Sequence, residues 1–246
     1  MERLKAYLRT ADGSVQDFHV RTEVKKQDGA DAVYIDGFSG SLLDADFGAG
    51  IDFTVSQVKS WMADFRYSPF WCMPAFGTAL GDIPDETQGL IYQKEDGDFG
   101  VILPVVSEQY KCVLKGNKDG GITARLFTRY DSMSACRALA FVSAEGKNPY
   151  TLLKKAAKAA LTLLNNGCRL REERRYPEVF EYLGWCSWDA MEIRVCEEDL
   201  IKKCEELKQK NIPVKWAIID DMWAEVRNFY GVSYQDRNEM FRLMHA

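Results

Sequence analysis

The run VKWAIIDDMW, Val214 to Trp223, closes an apolar stretch on two adjacent carboxylates, Asp220 and Asp221. Carboxylates in such a place can form an acid–base couple, a magnesium site, a clamp for the hydroxyls of a polar ligand, or a cap on a strand-to-loop turn. Strand geometry weighs against the couple, because consecutive strand residues point to opposite faces. A retaining glycosidase holds its two carboxyls about 5–5.5 Å apart across one bond, and an inverting one about 6.5–9.5 Å. Neighbours on one strand suit neither spacing. They suit divergent hydrogen bonding, each carboxylate accepting from a different hydroxyl of one ligand. A metal would need a third ligand, and the sequence offers none nearby. On the residues alone, the clamp and the capped turn both stay open.

The rest of the composition narrows the chemistry. The chain has 246 residues with a net charge of -5 and no long basic run, which argues against nucleic acid and anionic membranes as partners. No stretch approaches the roughly 18 apolar residues of a membrane span. There are only two histidines, His19 and His245, near opposite ends of the chain. A zinc cluster or a histidine-based triad is poorly served by that supply. Acid–base chemistry would therefore rest on carboxylates, and no cofactor is implied. Seven scattered cysteines with no CxxC pair, behind an N-terminus without an apolar signal core, read as reduced thiols in a cytoplasmic protein. Nothing in the sequence opposes a homo-oligomer.

Two stretches of different grammar must position these residues. Residues 1–170 form the first stretch, and its first ~145 residues are punctuated by Asp12-Gly13, Asp28-Gly29, Asp36-Gly37, Asp96-Gly97 and Asp119-Gly120-Gly121, between short β-prone runs such as Ala32–Ile35, Gly100–Val106, Tyr110–Leu114 and Ile122–Phe127. Asp-Gly between such runs marks hairpins, because type I′ turns need φ > 0 at both central residues. This part is expected to be an antiparallel β-sandwich. The segment from Gly40 to Gly50 lacks the spacing of a phosphate loop. The sandwich domain should end in a helix over 148–167, capped by Asn148, started by Pro149 and closed by Gly167 in the left-handed conformation. Its apolar stripe is Leu152, Leu153, Ala156, Ala157, Ala160, Leu161 and Leu164. Charged residues 171–180 form a linker.

From 181 to 246 the pattern is strand, amphipathic helix, strand. EYLGWCSW (Glu181–Trp188) reads as a strand, residues 197–210 as a helix with Leu200, Ile201, Cys204 and Leu207 on one side, and Val214–Asp220 as a buried strand. That is a βαβ unit with parallel strands and a right-handed crossover. Ligands of α/β sheets and barrels bind at the C-terminal edge of the strands. Trp188 and Asp189 end the first strand at that edge, and Asp220 and Asp221 end the second. The four should converge. An indole at a strand end packs in a core more often than it faces a sugar, so Trp188 gains meaning only from the carboxylates beside it.

The combination of YLGWCSWDAM with WAIIDDMW, preceded by FRYSPFWCMPAFG (Phe65–Gly77), DIPDETQGL (Asp82–Leu90), VILPVVSEQYKCVLKGN (Val101–Asn117) and NPYTLLKKAAKAA (Asn148–Ala160), resembles glycoside hydrolase family 36. The branch it looks like is that of raffinose synthases and seed imbibition proteins, which includes alkaline α-galactosidases. The resemblance implies an N-terminal β-sandwich followed by a TIM-type β/α barrel, and retaining chemistry on α-galactoside oligosaccharides through a covalent galactosyl intermediate. It makes Trp188 the indole flanking galactose, and it makes Asp220 and Asp221 the holders of its 4- and 6-hydroxyls. It also brings the segment around Trp71 to the mouth of the site. Two departures stand out. Met222 replaces the glycine usual after the aspartate pair in that branch. Too few residues follow Gly184 for a barrel of about 250 residues, so the chain is expected to hold only its first βαβ portion. The family's nucleophile and acid/base are expected beyond residue 246, and the chain alone should be inactive. It is read as the N-terminal part of a retaining α-galactosidase. The alternatives are a raffinose-synthase-like galactosyltransferase and a non-catalytic sugar-binding remnant.

Overall fold

The computed structural model describes residues 1–9, 15–16, 20–38, 48–68, 71–107, 110–128, 136–220 and 223. The chain divides into two compact units, Met1–Arg171 and Glu172–Ala246.

The first unit carries twelve strands among the described residues: β1 (Glu2–Arg9), β2 (Val15–Gln16), β3 (Arg21–Gln27), β4 (Ala30–Phe38), β5 (Gly48–Thr54), β6 (Val58–Ser68), β7 (Trp71–Gly77), β8 (Thr87–Lys94), β9 (Phe99–Pro104), β10 (Lys111–Gly116), β11 (Ile122–Phe127) and β12 (Cys136–Gly146). The pairings given for them are antiparallel. One ladder runs β2-β1-β5-β11-β10, and another runs β7-β6-β8-β9-β12-β4-β3. The pair Leu114–Thr87 joins them. The antiparallel β class expected from the sequence is therefore present, but the expected two separate sheets are one continuous hydrogen-bonded network.

That network curls around a shared core. Phe53 on β5 stacks on Phe141 on β12 with ring centroids 5.0 Å apart, although four strands separate β5 from β12 in the order. Ile35, Ile51, Leu90, Ile102, Leu114, Ile122 and Leu126 fill the same core. The outer face of β4, β9 and β12 is apolar as well, and the helix α1 (Pro149–Leu164) covers it with Leu152, Ala156, Ala159 and Ala160. Strand β12 is thus buried on both faces. A register shift between Leu139 and Phe141 lets Ala140 and Phe141 both face the inner core, which strict alternation would forbid.

The local signals mostly act as their chemistry requires. Asp28 and Gly29 take φ of 50° and 76° between the paired residues Gln27 and Ala30, so they make the two-residue turn that the β3–β4 hairpin needs. Asp36-Gly37 is no turn. It lies within β4, where Asp36 is paired with Arg21 on one side and Arg137 on the other. Asp12-Gly13 lies outside the described residues. Asn148 caps α1, its side chain accepting from the N–H groups of Tyr150 and Thr151 at 3.0 and 3.1 Å. The helix is closed by Asn165 at φ 47°, two residues before the expected Gly167, because its N–H already reaches the Leu161 carbonyl at 3.0 Å.

A polar tie spans the edge of the first unit. The Tyr92 hydroxyl donates to Glu145 at 2.7 Å, and the Lys94 ammonium bonds the same carboxylate. Burial on its own would raise the pKa of Glu145, but Lys94 and Tyr92 outweigh it and hold the group below its ordinary value. A depressed carboxylate stabilises the fold above its unfolded pKa, and the contribution is lost as pH falls through the folded one. In urea titrations at a series of pH values, Glu145→Gln is expected to unfold at lower urea than the parent at pH 7. The gap should close on acidification. Curves that stay parallel down to pH 3 would contradict the tie.

Candidate functional site

The second unit holds the sequence features singled out for chemistry. Its strands are shorter than the sequence suggests: β13 spans Gly184–Cys186 and β14 spans Trp216–Ile218. They pair in parallel, Gly184 with Trp216, Trp185 with Ala217 and Cys186 with Ile218. Between them lie a single helical turn, α2 (Trp188–Met191), and the helix α3 (Glu197–Gln209). Acidic Glu197, Glu198 and Asp199 open α3 and Lys208 lies in its last turn, matching the helix dipole. Asn211 at φ 52° ends it, with the Ile212 N–H returning to the Leu207 carbonyl at 2.9 Å. Of the expected apolar stripe, Leu200 and Leu207 are half-buried, whereas Ile201 and Cys204 are exposed.

The register of the parallel pair has a specific cause. A side chain at Gly184 would meet the six-membered ring of Trp216 at 2.1 Å, so the indole lies where only a glycine lets it lie. Its Nε1 donates to the Tyr182 carbonyl at 3.1 Å, and Phe180 packs edge-on against the ring at 6.0 Å. The Lys215 N–H reaches the Leu183 carbonyl at 2.9 Å, which extends the ladder at its start.

At its far end the ladder continues through a side chain. The Ser187 N–H donates to the Ile218 carbonyl at 3.0 Å, and the Ser187 hydroxyl accepts the Asp220 N–H at 2.9 Å. Ser187 is fully buried. The Cys186 thiol donates to Oδ2 of Asp220 at 3.1 Å. Both the main chain and the carboxylate of Asp220 are thus fixed by the residues ending β13.

The structure therefore places Asp220 against Cys186 and Ser187, at the C-terminal edge the parallel pairing requires. Trp188 follows immediately, half-buried, but it begins the turn α2 instead of ending the strand, because the chain bends at Ser187 where the Ala190 and Met191 N–H groups reach its carbonyl. Asp189 is exposed on that turn and lines an open groove of about 550 Å³ together with Met191, Arg194, Asp199, Lys203 and Glu206. Neither Trp188 nor Asp220 is among its walls. Lys203 and Lys210 hold the Glu206 carboxyl down at about 2, and Lys202 with the Cys196 thiol lowers Asp199, so these groove carboxylates stay charged. Trp71 opens β7 in the first unit, about half exposed. Asp221, Met222, His19 and His245 lie outside the described residues. Among the described residues no three His, Cys, Asp or Glu side chains gather as a metal site.

Sequence reasoning missed Ser187 and Cys186. The signal for them was the parallel pairing itself, since residues just past the end of one strand must sit beside those just past the end of the next.

Comparison with known proteins agrees with the motifs. The chain matches the family described as raffinose synthase or seed imbibition protein Sip1 over residues 10–241, and it belongs to that family. It is 32% identical over 178 residues to a probable galactinol–sucrose galactosyltransferase 1 of Arabidopsis thaliana, covering 68% of this chain and 23% of the relative. It is 27% identical over 171 residues to a stachyose synthase of Pisum sativum, covering 68% and 20%. A solved α-galactosidase from Geobacillus stearothermophilus matches with a TM-score of 0.47 at 9% identity, covering 95% of this chain and 42% of that one. The chain spans about a quarter of the length of the curated relatives it matches.

Removing the hydroxyl with Ser187→Ala should leave the Asp220 amide without its buried acceptor. In hydrogen–deuterium exchange that amide is expected to exchange about tenfold faster, the equivalent of roughly 1.4 kcal/mol. Unchanged exchange would show that Ser187 does not hold Asp220.

Proposed function

We propose that this chain supplies the galactose-holding end of an enzyme that transfers α-galactosyl groups. The observation that carries the reading is the anchoring of Asp220 on Ser187 and Cys186 at the C-terminal edge of a parallel strand pair. A carboxylate held there accepts hydroxyl hydrogen bonds, and the indole of Trp188, next to Ser187 in the chain, would offer an apolar face to a sugar ring. Asp220 and Asp221 would take the 4- and 6-hydroxyls of galactose, with Trp188 against the ring. Membership in the raffinose synthase family supports galactose as the sugar.

The acceptor divides two readings. Water as acceptor makes the enzyme a retaining α-galactosidase, the expectation the motifs raise. A sugar acceptor makes it a galactosyltransferase, which the names of the curated relatives favour. Both discharge the same galactosyl intermediate and differ only in what attacks it.

Product analysis of the full-length protein decides between them. Incubation with galactinol and sucrose should give raffinose if a sugar accepts, and free galactose if water does. Asp220→Asn should lower kcat/KM by about 10- to 100-fold in either case, as expected when a charged hydrogen-bond acceptor is lost. The 246-residue chain alone should release no chromophore from a chromogenic α-galactoside. Near-normal kcat/KM in Asp220→Asn would rule out the sugar contact, and robust turnover by the 246-residue chain would place the chemistry within it.

A further inference from the structure

The contact between Cys186 and Asp220 has a use beyond holding two strands together. Backbone pairing already fixes the ladder through Cys186–Ile218, and Ser187 fixes the Asp220 main chain. Neither sets the direction of the Asp220 carboxylate. The Cys186 thiol reaches that carboxylate directly, at 3.1 Å from Oδ2. Cys186 is itself half-buried, on the strand whose end carries the site.

We propose that Cys186 is a positioning residue for sugar recognition, its thiol orienting the Asp220 carboxylate toward one sugar hydroxyl. The inference rests on the reading of Asp220 as a galactose contact. A thiol suits this task. It is a weak donor, so it restrains the side-chain torsions of the aspartate while drawing little electron density from its oxygens. Restraint before binding also removes the rotamer entropy that an unheld aspartate loses when the ligand arrives. In that hydrogen bond Cys186 is the donor.

The test compares Asp220→Asn, Cys186→Ala and Cys186→Ser in the full-length protein. The substrates are an aryl α-galactoside and its 4-deoxy and 6-deoxy analogues. The analogue on which Asp220→Asn loses its penalty identifies the hydroxyl that Asp220 holds. Cys186→Ala is expected to lower kcat/KM on the parent galactoside by about 3- to 10-fold, in line with the loss of one orienting hydrogen bond. That loss should vanish on the same analogue. Cys186→Ser, which restores a donor, should recover most of the parent value. A merely structural role would instead lower kcat/KM equally on all three substrates. If Cys186→Ala fails to fold, Cys186→Val, which fills the space without a donor, takes its place. Equal losses on all three substrates, or no loss, would overturn the positioning role while leaving Asp220 as a sugar contact. If Asp220→Asn itself has no effect, the reading of the site falls and the role of Cys186 falls with it.

Discussion

The second unit depends on one close approach, the indole of Trp216 lying across Gly184. No other residue fits at 184, because even a methyl group would overlap the ring. The indole is held there from both ends, by its hydrogen bond to the Tyr182 carbonyl and by the edge of Phe180. The register Gly184–Trp216 follows, and with it the placement of everything beyond the strand ends. A slip of one residue would turn every side chain of β14 to its other face. It would also carry the Asp220 amide away from the Ser187 hydroxyl. The site is thus a consequence of a glycine and a tryptophan that take no part in its chemistry.

The first unit shows the same dependence on packing in another form. Several of its hairpins turn on Asp-Gly pairs, but the sheet keeps its shape because both faces of β12 are buried. The register shift near Ala140 serves that double burial. Such a shift leaves no clear trace in the sequence Ala138–Val142, a continuous apolar run.

How far the sequence reveals the structure can be judged residue by residue. The span of β11, Ile122–Phe127, and the Asn148 cap of α1 were legible, because each depends on local rules: a β-prone run following an Asp-Gly-Gly turn, and side-chain hydrogen bonding. Asp36-Gly37 misled, because its turn chemistry is overridden by ladder partners on both sides. The parallel βαβ pairing was legible from the switch in hydrophobic pattern, and the carboxylate at its edge followed from topology. The convergence of Trp188 and Asp189 was read too simply. A strand assignment running to Trp188 ignored that Ser187 bends the chain, and the bend sends Asp189 to the charged groove beside α3. Cys186 and Ser187 were invisible as site residues, since a small polar residue inside an apolar strand carries no pattern of its own. Their roles appear only once the second strand is laid beside the first.

The central claim is that Asp220, anchored at the end of a parallel strand pair, holds galactose. A crystal structure of the full-length protein with bound galactose tests it most directly. The account predicts an oxygen of Asp220 within hydrogen-bonding distance of the galactose 4- or 6-hydroxyl, with the Trp188 indole against the sugar. A galactose bound elsewhere, with Asp220 still turned to Cys186 and no sugar hydroxyl near it, would contradict the account.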